Sequence, residues 1–462
     1  MNQNIVDETA QGKLFRWIIL LFVSIVIATN YYVYDAMSSI KSVMQAELGF
    51  TSTEYGLIVS FYSFPNTFLL MAIFGGIILD RWGIRKTGFL FVIFCVLGAV
   101  TTAYGATNYY RTGGLGYNFF SSFLTDYSPE LKMMMIGRLL FGLGAETSIV
   151  VINKVIVRWF KGKELALAFS LNIAVARLGT AAALIFSPIL ISYPSGWTLA
   201  LWIAAILMGV GLVFWIGYMF YDTKYNVTRK KEHLLEADEE FHIKDVIDLI
   251  KNKSFIYICL LCVTFYSAVF PFQAYCPDLL HNKFGVSLEM SGTLTSLIIW
   301  GTILFTPLFG WFVDRNGKRA TVMVFGSILL IIAHLTLSIT SLTPYVAMFI
   351  LGIAFSLVPA AMWPSVALLV EEKRLGTAYG IMTSLQNLGL FLFPIIAGYV
   401  LDKTNKGVTQ SMISSGTAIY DYTYTILVFA ALGILGLFFA YLLKRADKVS
   451  TGFGLEKRPV KS

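Results

Sequence analysis

The sequence predicts an all-α membrane protein whose twelve transmembrane helices form two six-helix bundles. Apolar residues make up 57% of the 462 residues and charged residues only 13%, which is more apolar surface than a soluble domain could cover. A bilayer core of about 30 Å needs about 20 apolar residues per helix, and twelve runs of that length follow one another along the chain. A motif that occurs once in each half predicts the division into two bundles.

The apolar runs, taken in order, give the boundaries of the predicted spans. The first run follows Lys13 and Arg16 and is too long for the apolar region of a signal peptide, so it is kept as a span. The spans are predicted at 17–38, 54–79, 87–104, 132–157, 164–191, 197–221, 254–276, 289–313, 320–340, 344–370, 376–401 and 422–443. An even number of spans puts both termini on the same side of the membrane.

The basic residues predict which side that is. Short cytoplasmic loops of membrane proteins hold an excess of lysine and arginine. Most of the 35 basic residues lie in the two terminal segments and in the loops after the even-numbered spans, and the opposite side has only Lys41, Arg111, Lys132, Lys283, Lys403 and Lys406. We therefore expect a multi-pass integral membrane protein with both termini in the cytoplasm. The net charge of +8 reflects this topology and does not indicate a nucleic-acid partner.

The longest cytoplasmic segment divides the chain near its middle. We predict a first bundle at 1–221, a linker at 222–253, a second bundle at 254–443 and a cytoplasmic tail at 444–462. Near the end of the linker, apolar residues recur at helical spacing at Ile243, Val246, Ile247 and Ile250. This pattern indicates a short amphipathic helix along the membrane surface, and a solvated linker is the alternative.

The cysteines and the motif content argue against a metal site and against an enzyme. Cys95, Cys259, Cys262 and Cys276 lie in or at the ends of apolar helices, without the second pair or the histidine cluster that a metal site would need. The chain has no Walker loop, no H-E-x-x-H and no G-x-S-x-G. We expect no metal, no cofactor and no catalytic activity.

A repeated loop motif relates the two halves. The pattern G-x-x-x-D-R-x-G-x-R/K follows span 2, beginning at Gly76, and follows span 8, beginning at Gly310. It resembles the signature loop of the major facilitator superfamily, and Arg138, Gly142 and Gly144 in span 4 are similar to the family pattern R-x-x-x-G-x-G. The resemblance implies the major facilitator fold with a substrate site between the halves.

The charged residues of these motifs are candidates for gating. Gly76 and Gly310 would allow close helix approach, while Asp80 and Asp314 could pair with arginines or with helix N-termini at the cytoplasmic seam. The gating candidates are Asp80, Arg81, Arg85, Asp314, Arg315, Arg319 and Arg138. Alternatively, these residues only set the topology.

Glu146 and Arg177 are the ionisable residues that stand out near the bilayer midplane. They lie on spans 4 and 5, each about 15 residues from the centre of the loop that joins these spans, so both are expected at the same depth. A charge facing lipid at that depth costs several kcal/mol, so both residues should face each other or a wet cavity. The alternative is a buried ion pair that braces span 4 on span 5.

Opposite charges at this depth predict a zwitterionic ligand, whose ammonium would meet Glu146 and whose carboxylate would meet Arg177. The termini of a single amino acid lie close together, so a short peptide matches better. The segment from Arg138 to Arg177 and the segment 376–389 in span 11 resemble the branch of lysosomal dipeptide uniporters. That resemblance implies a dipeptide held at its amino end by Glu146 and at its carboxylate by Arg177.

Several polar and aromatic residues are candidates to line this site. They come from spans 1, 7, 10 and 11 and are Tyr31, Tyr32, Tyr266, Trp363, Gln386 and Asn387. Amides at membrane depth need partners, which favours Asn387, whereas each aromatic residue could equally serve packing or the interfacial belt.

The acidic residues of the spans bear on the mode of transport. The acidic pattern of proton-coupled peptide symporters in span 1 is absent, which favours uniport, while proton symport through Glu146 or Asp35 stays an alternative. The same residues would also suit a carrier of another organic anion or amino acid, or a sensor or scaffold that does not transport.

The cellular location and the partners are predicted from the termini and loops. The N-terminal tail has no acidic dileucine signal, and both N-x-S/T matches, at Asn226 and Asn252, are on the predicted cytoplasmic side. We therefore expect a prokaryotic plasma membrane. We also expect a monomer that binds a small-molecule substrate, and the sequence does not indicate an accessory subunit.

Overall fold

The computed structural model describes residues 10–161, 163–194, 196–228, 243–371, 374–409, 412–413, 415–449 and 454–458. All regular structure in these ranges is helical. Eleven of the described helices are long and apolar enough to cross a membrane. The linker residues 229–242 and most of the predicted tail lie outside the described ranges.

The described spans follow the predicted order. In the first half, span 1 is Ala10–Asp35, span 4 is Pro129–Phe160, span 5 is Leu165–Leu190 and span 6 is Thr198–Thr228. In the second half, spans 7 to 12 are Lys253–Phe284, Leu288–Asn316, Arg319–Ile339, Pro344–Leu369, Leu375–Thr404 and Thr423–Val449. Spans 2 and 3 are the exceptions, because they do not form two separate continuous helices.

Span 2 is broken into pieces, whereas the sequence predicted one helix at 54–79. The helix Ser52–Phe61 ends before a short helix at Phe64–Phe68, and a third helix begins at Met71 after Leu70, whose φ is 50°. The prediction of a continuous helix is wrong. Pro65 has no N–H to bond to the carbonyl of Phe61, where the first piece ends, and the positive φ of Leu70 separates the second piece from the third.

The turn between spans 2 and 3 lies within one long helical segment. Met71–Gly105 has 35 residues, which at 1.5 Å per residue is far longer than one crossing requires. At Gly83 the backbone leaves the helical region, with φ 76° and ψ 165°, a conformation that suits glycine. The segment therefore holds the end of span 2 and all of span 3, and the prediction of twelve spans is confirmed.

The start of span 1, the end of span 12 and the loop after span 2 lie on one face of the bundle, which we call the termini face. Residues 36–51, which join spans 1 and 2, lie on the opposite side, the far face. On the far face a 3₁₀ turn at Ser38–Ile40 and a helix at Lys41–Leu48 extend span 1. Two short helices, Asn108–Arg111 and Tyr117–Ser121, lie between spans 3 and 4.

The two halves pack through span 2 against span 11 and span 5 against span 8. These seams are narrow because backbone meets backbone. A Cβ added at Gly398 of span 11 would come within 2.1 Å of the carbonyl oxygen of Ser52, and one at Gly292 of span 8 within 2.0 Å of the carbonyl oxygen of Leu184. Both contacts lie towards the far face, so the halves are joined most closely there.

The linker contains a helix at Ile243–Lys251, where the sequence indicated one. Leu249 is 3% exposed and Ile250 is 56% exposed, so the apolar residues of this helix do not all face the same way. Asp248 forms an ion pair of 3.0 Å with Arg374, which precedes span 11. The linker helix is thus attached to the second half.

Candidate functional site

Arg177 lies between the two halves, with aromatic rings around its guanidinium. The guanidinium carbon is 5.7 Å from the ring centre of Tyr31 in span 1, 6.0 Å from that of Phe270 in span 7 and 5.1 Å from that of Phe355 in span 10. Among the described residues it has no carboxylate partner. Cation–π contacts offset part of the cost of this charge but leave its hydrogen-bond donors available.

Glu146 of span 4 is half-buried and accepts one hydrogen bond, from the hydroxyl of Tyr62 at 2.8 Å. No described cation forms an ion pair with it. The predicted alternative, in which Glu146 and Arg177 form a bracing ion pair, is therefore not what the structure contains.

Tyr62 is a residue of this site that the sequence did not single out. It lies at the break in span 2, and its ring is 4.6 Å from the ring of Tyr34. A Cβ added at Gly142 of span 4 would come within 1.9 Å of the carbonyl oxygen of Tyr62, so this glycine lets the break approach span 4. The sequence signal was Pro65 in an aromatic run, which marks a possible helix break.

Arg138 is buried inside the first half, on the far-face side of Glu146. It is 2% exposed and donates to the carbonyl oxygens of Val33 at 3.3 Å and Tyr34 at 3.4 Å, near the end of span 1. Its guanidinium also faces the rings of Tyr34 and Tyr62, at 5.4 and 5.6 Å. The structure thus places this gating candidate at the end of span 1 and away from the loops on the termini face. A small cavity beside it is lined by residues of spans 1, 3, 4 and 6 and by the segment after span 1.

The second half contributes an aromatic wall. Trp363 donates from Nε1 to the hydroxyl of Tyr266 at 2.8 Å. This hydrogen bond joins two of the residues that the sequence predicted for the site. Tyr266 stacks on Phe270 with ring centres 5.7 Å apart, and Phe270 in turn faces Arg177. Tyr266 and Trp363 therefore adjoin the ring of Phe270 that faces Arg177.

The described contacts of the remaining candidates do not include the two charges. Tyr32 is 6% exposed and packs in the core of the first half. Asn387 donates to the carbonyl oxygen of Thr383 in its own helix at 3.1 Å, and its side-chain oxygen is buried without a described partner. Gln386 accepts from the thiol of Cys262 at 3.6 Å. Within the described residues, neither amide touches Glu146 or Arg177.

The motif loops make ion pairs inside their own halves. Asp80 pairs with Lys154 of span 4 at 2.6 Å, and Asp314 pairs with Arg319 at 3.7 Å. The aspartate side chains are 59% and 77% exposed, which shows how open this face is. Arg85 is 3.6 Å from Asp222 at the end of span 6.

The other motif residues differ from expectation. Arg315 stacks on Trp311 of span 8 at 5.3 Å, and Arg81 is exposed. A Cβ at Gly76 or Gly310 would meet no atom within 4 Å, so the predicted close helix approach is wrong for these glycines in this structure. Both glycines face open space near the exposed aspartates of the motif loops.

Two six-helix halves with a polar and aromatic site between them define a membrane transporter with a central site. A family model described as Major Facilitator Superfamily matches residues 20–281 and 274–461. The chain therefore belongs to the major facilitator superfamily. The members of this family are transporters and not enzymes, and so are the curated relatives of the chain.

Curated relatives match most of the chain. The protein named lysosomal dipeptide transporter MFSD1 from Bos taurus is 31% identical over 84% of this chain and 80% of the relative, and the protein of that name from Homo sapiens is 29% identical over 96% and 89%. Among solved structures, a bacterial homolog of the human lysosomal transporter Spinster, in an inward-facing and occupied conformation, superposes with a TM-score of 0.65. It is 15% identical and covers 93% of this chain and 97% of that chain, which supports the fold alone.

Proposed function

We propose that this protein carries dipeptides across the membrane by alternating access around Glu146 and Arg177. The observation that carries the proposal is that Arg177 lies between the halves and Glu146 lies on the neighbouring span 4, yet neither is paired with the other or with a described counter-ion. Unpaired charges at bilayer depth are costly and usually mark a substrate pathway. A zwitterionic ligand would supply both counter-charges at once.

The surroundings of the two charges suit the two ends of a peptide. The contacts of the Arg177 guanidinium among the described residues are ring faces, so its planar set of donors is available to bind a carboxylate in a bidentate way. The carboxylate of Glu146 has one donor in Tyr62 and can accept further bonds from an ammonium group. The aromatic wall of Tyr266, Phe270 and Trp363 would then contact the peptide side chains.

The similarity to proteins named lysosomal dipeptide transporter supports the dipeptide over other zwitterions. A carrier of another organic anion or of an amino acid is the second candidate, because the unpaired Arg177 alone would suffice to bind such a ligand. We infer uniport because span 1 lacks the acidic motif of proton-coupled peptide carriers.

We infer that the space between the halves opens at the termini face in the described conformation. The polar contacts between the halves cluster on the far face, whereas the aspartates of both motif loops are exposed. From the distribution of lysine and arginine, the termini face is the cytoplasmic one in our proposal. The compartment we propose is a prokaryotic plasma membrane.

The proposal is tested by uptake of a radiolabelled dipeptide into proteoliposomes. We expect uptake to be abolished in Glu146→Gln and in Arg177→Ala, with both variants eluting as folded monomers. Arg111→Ala is the matched control, since this exposed arginine lies in the loop between spans 3 and 4. Wild-type uptake in both site variants would remove the proposed site.

The nature of the ligand is tested with blocked peptides. A dipeptide held by both charges must lose most of its affinity when its amino terminus is acetylated or its carboxylate is amidated. An organic-anion carrier would lose affinity only on amidation. Competition of each blocked peptide against the labelled dipeptide separates the two candidates, and a thermal-shift screen with amino acids and organic acids extends the comparison.

A further inference from the structure

A fully buried ion pair joins the two halves at the far face. Lys41, in the segment after span 1, places its ammonium 2.6 Å from the carboxylate of Asp278 in span 7, and the two side chains are 0% and 2% exposed. The ammonium also donates to the side-chain oxygen of Gln45 at 2.7 Å. The carboxylate accepts from the hydroxyl of Tyr422 and, at 3.0 Å, from the amide of Asn282. Both charged groups of this pair thus have hydrogen-bond partners besides each other.

Four tyrosine rings surround the ammonium of Lys41. Their centres lie 5.5 to 5.9 Å away, and the rings belong to Tyr55 of the first half and to Tyr275, Tyr420 and Tyr422 of the second half. The rings exclude water from the pair while their faces favour the cation. The cluster therefore exists only while the two halves are together at this face.

A second polar contact crosses the same face. The carboxylate of Asp402, near the end of span 11, accepts from the backbone amides of Ser52 and Thr53, each at 2.8 Å, and from the hydroxyl of Thr53 at 2.6 Å. Asp402 therefore caps the first turn of span 2 from the opposite half. A carboxylate at a helix N-terminus satisfies amides that have no partner within their own helix.

We propose that the Lys41–Asp278 pair, together with the Asp402 cap, is a latch that holds the far face shut and opens when the transporter faces the other way. Desolvation makes a buried ion pair worth little in net stability when it is complete, but removal of one partner leaves an uncompensated buried charge. Such a latch holds the halves in register and still opens reversibly, because both charges regain water when the halves separate.

The contrast with another buried lysine on this face supports a gating role. Lys132, at the start of span 4, donates to the backbone carbonyl oxygens of Phe120, Phe123 and Leu124, all of which belong to the first half. Lys132 therefore braces a loop inside one half, whereas Lys41 bonds across the halves. Substitution of the two lysines should have different consequences for opening.

The test uses a cysteine reporter at the far face. Ser39→Cys is nearly isosteric, Ser39 is 1% exposed at the seam with span 8, and the four native cysteines are buried. We expect a membrane-impermeant maleimide to label Ser39→Cys about tenfold faster in the Lys41→Met and Asp278→Asn backgrounds, because loss of either partner favours the open far face. The Lys132→Met background should label at the wild-type rate.

A distance measurement distinguishes gating from loss of fold. Spin labels on Arg81→Cys and Arg315→Cys report the separation of the two exposed motif loops on the termini face. If the latch is a gate, this distance shortens in the Lys41→Met and Asp278→Asn backgrounds as the far face opens. Unchanged labelling of Ser39→Cys in both backgrounds would overturn the proposal, and so would faster labelling without the shorter distance, which would indicate general loosening. Neither measurement depends on the identity of the substrate.

Discussion

Tyr62 connects the two charged residues of span 4, since its hydroxyl donates to Glu146 while its ring lies 5.6 Å from the guanidinium of Arg138. Its hydroxyl and its ring can be tested separately. Tyr62→Phe keeps the ring and removes the donor, so Glu146 loses the bond that orients it.

We expect Tyr62→Phe to raise the KM for dipeptide uptake about tenfold to a hundredfold, because a hydrogen bond to a charged group contributes about 1.5–3 kcal/mol and each 1.4 kcal/mol is about a factor of ten. The maximal rate should stay close to that of the wild type. Tyr34→Phe is the matched control, because Tyr34 packs on the same ring and its hydroxyl has no partner among the described residues. An equal effect of both variants would assign the change to packing.

Sequence reasoning at the residue scale found the charges and missed their partners. Glu146 and Arg177 were predictable because an ionisable residue inside an apolar run is costly and therefore conspicuous. Tyr62 was not, since an aromatic residue in a membrane helix usually serves packing. Lys41 was counted as a loop residue, because its partner Asp278 lies 237 residues later in the chain and only the packed halves bring the two together.

The glycines of span 4 have different roles from those of the motif loops. The backbone of Tyr62 packs directly against Gly142. A Cβ at this position would overlap the carbonyl oxygen of Tyr62, a backbone atom that cannot move freely. Gly76 faces open space. We expect Gly142→Ala to lower the stability of the protein by about 1–3 kcal/mol, as overpacking does elsewhere, and Gly76→Ala to have little effect.

Thermal unfolding in detergent, followed by light scattering or by size-exclusion chromatography after heating, compares these variants. Equal unfolding temperatures for Gly142→Ala and Gly76→Ala would mean that the break in span 2 can move away from span 4. The sequence pattern R-x-x-x-G-x-G predicted a family resemblance here, but the contact that requires glycine became visible only with the path of span 2.

The start of span 9 is capped by a distant segment. The carboxylate of Glu456 accepts from the amide of Thr321 at 2.8 Å and from its hydroxyl at 2.7 Å, and the neighbouring Leu455 is fully buried. Residues beyond span 12 therefore return to the second motif loop. This contact was not predictable from the sequence, because Glu456 lies 135 residues after Thr321 and sequence patterns for helix caps involve neighbouring residues.

We expect Glu456→Ala to destabilise the first turn of span 9 by about 0.5–2 kcal/mol, the range measured for lost helix caps. Hydrogen exchange at the amide of Thr321 should then become faster, by about twofold to thirtyfold. Lys457→Ala is the control, because the Lys457 side chain is exposed. Exchange that stays slow in both variants would show that the tail does not contribute to this helix end.

The whole molecule was the most predictable level, and its conformation was the least. Twelve apolar runs dictate twelve crossings, since a backbone in lipid must satisfy its own hydrogen bonds. The closure of the far face could not be predicted, because the conformations of a carrier share one sequence and differ by only a few kcal/mol. The contacts of Lys41 and Asp402 belong to one of those conformations.

Uniport makes a prediction for the complete transporter. Uptake of a dipeptide with no net charge should be the same, within about twofold, with and without an imposed pH gradient, because a few tenths of a kcal/mol corresponds to such a ratio. Proteoliposomes loaded with buffers of different pH provide the measurement. Uptake that rises steeply with the gradient in the wild type, but not in Asp35→Asn, would instead favour proton symport through Asp35.

The interrupted path of span 2 also affects how the protein enters the membrane. A segment that cannot form one helix leaves backbone groups near Tyr62 and Leu70 without a full ladder in lipid. The face of span 4 that accommodates this break is made about 80 residues later during synthesis. We therefore expect span 2 to remain sheltered by the insertion machinery until span 4 has emerged, so that the order of synthesis and the order of stable integration differ for this segment.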